Sequence, residues 1–141
     1  MTSTHKRVYI LPSVFYAFID RIHPKHNQAS AYFRYFAQNN YALFVNILDV
    51  TDVYNDLCKR MSPSVGKEFL RILFLSDINI IYPEENDIKL ALKTMLNYGN
   101  EQLKYPEALS ATIAQKRGIQ SVATLEFHHG LFGIENFFLP I

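Results

Sequence analysis

The stretch E-A-L-S-A-T-I-A-Q-K-R-G-I (107 to 119), preceded by Pro106 and followed by S-V-A-T-L-E (121 to 126), decides the fold. Pro106 suits a first helical turn, where its missing amide hydrogen costs nothing, and Gly118 suits the C′ position, where the chain turns left-handed. The helix so delimited runs to Arg117. Ser121 to Leu125 then reads as a strand. A helix delivered to a strand by one short turn argues for a mainly parallel sheet covered on both faces, provided the pattern repeats upstream.

It does repeat. Arg7 to Leu11 is an apolar run ended by Pro12, hence a first strand. Ser13 reads as the N-cap of a helix that places Val14, Phe18 and Ile22 on one face and ends at His23-Pro24. Lys25 to Asn40 gives a second helix, stopped by Asn39-Asn40, and Tyr41 to Val45 a second strand. Ile47 to Met61 reads as a helix with Leu48, Thr51, Asp52, Asn55 and Lys59 along one side. Ser62-Pro63 opens another, holding Val65, Phe69, Ile72 and Leu73. Ile78 to Tyr82 is a strand, and Asp87 to Tyr98 a helix aligning Ile88, Leu92 and Met95. Gly99 to Lys104 is a polar loop, and Asn136 to Leu139 a last edge strand. The spacing predicts an α/β fold, a three-layer α/β/α sandwich with residues 1–141 forming one domain.

With 141 residues, such a chain can bury roughly two-thirds of the surface its unfolded form exposes. The single cysteine, Cys58, cannot form an internal disulfide, and its place in an amphipathic stretch predicts a buried thiol. A reducing cytoplasm fits this. Met1 to Arg7 is polar, and the apolar residues from Val8 to Ile22 are interrupted by Pro12, Ser13, Asp20 and Arg21, so neither a signal peptide nor a membrane span is expected. Fourteen basic and 13 acidic residues leave a net charge of +1. That excludes a global field drawing the chain to nucleic acid; any such partner must be held locally. Nine Tyr and 11 Phe, with no Trp, exceed what one small core needs, which points to stacking surfaces or a self-association face, while core packing remains the default for each one.

In open parallel sheets, functional groups gather beyond the carboxyl ends of the strands. Four stretches there and nearby carry acids or their neighbours: I-L-P-S-V-F-Y-A-F-I-D (10 to 20), N-I-L-D-V-T-D-V-Y-N-D-L (46 to 57), Y-P-E-A-L-S-A-T-I-A-Q-K-R-G-I (105 to 119) and S-V-A-T-L-E-F-H-H (121 to 129). In this order they resemble the PIN-domain family, the fold of VapC-type ribonucleases. In that family the first strand ends in Asp-x-Ser, a mid-chain helix carries Glu, a late helix begins Asp-Ala and a late strand ends Thr-x-Asp. The resemblance spans Val8 to Phe138.

The resemblance implies Mg²⁺ or Mn²⁺ held between carboxylates, where the metal generates hydroxide and neutralises charge on the phosphate. Carried over, the ligands and catalytic groups are Asp52, Glu107 and Glu126, with Ser13, Asn46 and Thr124 at the family's supporting polar positions. The departure is Leu11. It stands where the family has its first aspartate, and a leucine cannot ligate metal. Losing even an outer partner of a metal ligand costs ~10 to 100-fold in affinity. The reading favoured by Leu11 is therefore a PIN-like protein that binds RNA with catalysis weakened or lost. One alternative is an active Mg²⁺- or Mn²⁺-dependent single-strand ribonuclease, the toxin of a toxin–antitoxin module, with Asp49 or Asp20 joining the cluster. Another is a non-catalytic interaction module.

Lys59-Arg60 and Lys116-Arg117, with His23, Lys25 and His26, are the local basic groups that could meet phosphate, although basic pairs near helix C-termini also answer the helix dipole. His128-His129 after Glu126 reads as a turn rather than a zinc site, since adjacent histidines point apart. Tyr32, Phe33, Tyr35 and Phe36 crowd more than one face of the second helix. Such a helix is either deeply buried or half of an interface, and the family's habit of pairing implies a homodimer or an antitoxin-like protein partner.

Overall fold

The computed structural model describes residues 6–97 and 103–125, and the backbone of 135–137. The elements run β1 (Arg7–Ile10), α1 (Pro12–Ile19), α2 (His26–Gln38), β2 (Ala42–Asn46), α3 (Ile47–Arg60), α4 (Pro63–Leu75), β3 (Asn79–Ile81), α5 (Glu85–Asn97), α6 (Tyr105–Lys116), β4 (Ser121–Ala123) and β5 (Glu135–Phe137). The strands form one sheet in the order β3-β2-β1-β4-β5. Every neighbouring pair is parallel, as Tyr9 opposite Phe44 on one side and Val122 on the other illustrates.

Side chains alternate along the central strand, and this builds the layers. Val8 and Ile10 point into a cluster with Val14 and Phe15 of α1, Tyr32 and Phe36 of α2, Val53 of α3 and Phe69 of α4. Tyr9 and Leu11 point the other way, into a cluster with Ala91 of α5 and Ala108, Leu109 and Ile113 of α6. Helices therefore cover both faces of a parallel α/β sheet, the expected sandwich. The second layer is thin because α6 is buried without interruption from Ala108 to Ala114. Its small residues let the helix lie close to the sheet, so Ala114→Leu would overpack that layer by ~1–3 kcal/mol.

Several expectations need correction. Helix α1 starts at Pro12 with Leu11 as its N-cap, so Ser13 lies inside the first turn and does not cap it. Proline at N1 has no amide to satisfy, which frees the Ser13 hydroxyl for β4. The helix stops at Ile19, and Asp20 accepts the Ile22 amide in a turn. Ile22 is thus 91% exposed instead of sharing a buried face with Val14. On α5, Leu92 is exposed, and Asp87 and Ala91 are the buried residues.

The crowded aromatics of α2 go into the core. Tyr32 and Phe36 are buried, Phe33 and Tyr35 pack against the same cluster, and Phe33 meets Phe15 and Phe18 edge to edge or tilted. Cys58 is free and half-buried, not buried. It faces Gly66, where a Cβ would come within 2.6 Å of its sulfur, so α3 and α4 approach too closely for any side chain there. The expected stops are present: Asn40 has φ 59° beyond α2, and Gly118 has φ 70° beyond α6. Among the described residues no helix is long and apolar enough to cross a membrane.

Candidate functional site

Asn46 is the last residue of β2 and the N-cap of α3, and it is fully buried. Its Oδ1 accepts the Asp49 amide at 2.9 Å, which satisfies one of the helix's free N–H groups. Its Nδ2 has two hydrogens and donates to the Tyr9 hydroxyl at 2.6 Å and to Asp49 Oδ2 at 3.2 Å. Ser110, reaching across from α6, donates to the same Asp49 oxygen at 3.3 Å. Four polar side chains from β1, β2, α3 and α6 therefore close on one another at the carboxyl end of the sheet.

Only 4% of Asp49 remains exposed. Burial pushes its carboxyl up from 3.8 to about 7; Asp52 adds to the rise, while the bonds from Ser110 and Asn46 oppose it. Burial, then the nearby Asp49 charge, pushes the Tyr9 phenol up as well. The network thus joins two hydroxyls, an amide and an acid whose proton is held more tightly than that of a free carboxyl.

Leu11 sits one residue past β1, 7% exposed, inside the cluster that α6 completes. Its amide donates to the Ala123 carbonyl of β4 at 3.0 Å. Ser13 and Thr124 hydroxyls lie 3.1 Å apart, and the Leu125 amide donates to Ser13 Oγ at 3.0 Å. The two supporting positions read from sequence at the ends of β1 and β4 are therefore joined to each other, and Asn46 belongs to the buried network.

The two described acids of the ligand set read from sequence have different surroundings. Asp52 is exposed on α3, one turn beyond the buried Asp49. Glu107 turns back on its own helix, with Oε1 accepting the Lys104 amide at 3.0 Å. Glu126, like His128 and His129, lies outside the described residues. Asp49 is the buried acid beside the sheet end, and the signal for it was Asn46 three residues earlier, the spacing of a capping residue and its N3 partner.

The basic residues divide likewise. Lys116 Nζ pairs with Asp87 at 2.9 Å and Glu84 at 3.4 Å, and Arg117 buries Nη1 with no hydrogen-bond partner among the described residues. Lys59 is exposed. Arg60 lies with its guanidinium over the Tyr16 ring, 4.7 Å from the centroid, while the Tyr16 hydroxyl donates to Asp56 at 2.6 Å. These residues flank a cleft of about 370 Å³ that Ser13, Tyr16, Asp20, His23, Lys25 and Arg60 help to line.

No family model matches the chain, and no curated protein matches it by sequence. Among solved structures, VapC20 of Mycobacterium tuberculosis, described as a toxin that cleaves the sarcin–ricin loop, matches with a TM-score of 0.74. The match covers 84% of this chain and 89% of that one at 13% identity. The fold is PIN-like. At that identity the likeness concerns the PIN-like fold alone.

A PIN-like site of the metal-dependent kind needs several oxygen ligands converging on one hard cation. The described residues do not fit one. No three His, Cys, Asp or Glu side chains among them gather closely enough to hold an ion. The one buried carboxylate at the sheet end already accepts from an amide and a hydroxyl. The neighbouring β1 position presents a leucine packed in hydrocarbon.

Proposed function

We propose that this chain is an RNA-binding protein of PIN-like fold that holds single-stranded RNA without cutting it. The observation that carries the reading is Leu11. Its side chain extends the apolar layer between β1 and α6 at the place where the family resemblance requires the first carboxylate. Asp49, the buried acid in the first turn of α3, is already engaged with Asn46 and Ser110. RNA contact falls to the cleft between α1 and the end of α3, where Lys25 and Arg60 supply local positive charge that the near-neutral chain lacks overall.

Fluorescence anisotropy with a labelled single-stranded RNA tests this directly. Binding is expected to weaken as salt rises, to be indifferent to EDTA, and to leave the RNA intact in millimolar Mg²⁺ or Mn²⁺. Cleavage that requires either ion and disappears in Asp52→Ala or Glu107→Ala would overturn the proposal in favour of the nuclease reading.

A further inference from the structure

One side of the cleft beside Ser13 is formed by Tyr16 and Arg60. Tyr16 is fixed by its bond to Asp56, and the Arg60 guanidinium carbon lies 4.7 Å from the centre of its ring, within cation–π range. Arg60 is itself exposed, so a ligand can reach it. A planar guanidinium held in place is a platform on which an unpaired base stacks.

Donors for a phosphate line the same cleft. Lys25 Nζ gives one of its three hydrogens to the Leu125 carbonyl at 2.7 Å, and two are left for a ligand. His23 Nδ1 accepts the Lys25 amide at 3.0 Å, so the proton of its neutral ring sits on Nε2, which becomes a donor. Asp20 is the remaining charged group in the lining, and its Oδ1 already accepts the Ile22 amide. A carboxylate here repels phosphate and suits a ligand edge carrying two adjacent donors. Among the four RNA bases only guanine, with N1–H beside its amino group, presents that edge to a carboxylate.

We infer that the cleft holds one unpaired guanine nucleotide of a single-stranded RNA, its base stacked on Arg60 and read by Asp20, its phosphate met by Lys25 and His23. This rests on the RNA-binding reading above and specifies where, and by which base, the RNA is held. The volume of about 370 Å³ falls at the lower end of the ~300–1,000 Å³ that small-ligand sites occupy, enough for one nucleotide and too little for a paired duplex.

The test compares labelled 8-mers that carry a single G, A, C or U in an otherwise uniform strand, bound to wild type, Arg60→Ala, Arg60→Lys and Asp20→Asn. Circular dichroism checks that each variant is folded. The G strand is expected to bind about 10-fold tighter than the others. Arg60→Ala should lose about 10-fold on every strand, and Arg60→Lys nearly as much, because lysine keeps the charge but not the plane. Asp20→Asn should erase the preference for G. Four strands that bind alike, or an Arg60→Lys variant equal to wild type, would overturn the guanine site and leave RNA binding standing. No binding of any strand would overturn both.

Discussion

Asp49 and Asp87 occupy the same place on two helices. Each is the third residue of its helix, α3 or α5, and each is buried, 4% and 1% exposed. Asp87 accepts the Glu84 amide at 2.8 Å and the Lys116 ammonium at 2.9 Å. Burial alone would raise its pKa, but the amide and the cation outweigh burial and hold it below the ordinary carboxylate range. Asp49 has hydroxyl and amide partners and, among the described residues, no bonded cation, and burial prevails. Position on the helix and solvent exposure are therefore alike, but Asp49 lies deeper in the protein and has no cation, so depth and partner together set the charge. A charged pair fastens α5 to α6, whereas a neutral-leaning knot ties α3 to α6 at the carboxyl end of the sheet.

A third buried aspartate with neither kind of partner would break this contrast most severely. Leu11→Asp is expected to cost on the order of 5 kcal/mol at pH 8, from lost packing plus an unpaired charge, and distinctly less at pH 5. Urea unfolding at the two pH values measures it. An equally stable variant would mean that partners are not what separates Asp49 from Asp87. Stability regained on adding Mn²⁺ would count against the non-metal reading of the site.

The next effect belongs to the wild type. Asp49 has a raised folded-state pKa, so folded chains keep a proton that unfolded chains release between about pH 4 and 7. The unfolded state binds fewer protons in that window, and stability falls as pH rises through it, by on the order of 4 kcal/mol. Asp49→Asn should flatten that slope. An unchanged slope would assign it to another group.

Asp87 has the opposite sign. Its depressed pKa contributes stability above the ordinary carboxylate value and loses it as pH falls through the folded value. Asp87→Ala also removes the bond to the Glu84 amide, for an expected cost of ~1–2 kcal/mol at pH 7 by thermal or chemical unfolding. The smallest change comes from Lys116→Met, which should lower the neutral plateau slightly and move the onset of acid unfolding to higher pH. Acid unfolding at the wild-type pH would show that the amide alone depresses Asp87.

Much of the fold was legible because its punctuation is chemically specific. Pro106 and Gly118, Ser62-Pro63 and Asn39-Asn40 all mark ends that the structure places within a residue or two. The candidate site was legible only by halves. Ser13, Asn46 and Thr124 lie at strand ends, where sheet geometry directs attention, and all three are joined to polar partners there. The choice of Asp52 over Asp49 followed the polar side of α3, which faces solvent. Helical periodicity says which residues share a face but not which face is buried when both carry an acid. Lys116-Arg117 read as a basic pair; the acids that engage Lys116 come from 29 and 32 residues earlier, beyond any local pattern.

The Ser13 hydroxyl holds the Leu125 amide across 112 residues of sequence. In a chain with so distant a closure, the entropy of bringing the ends together is spent before β1 and β4 can reward it. On the ribosome, β1 must wait beside β2 until residue 125 has cleared the exit tunnel. The cleft is therefore a late product of folding. A nascent or truncated chain lacking β4 would carry α1 and α3 without the Ser13–Leu125 bond that closes one side of the cleft.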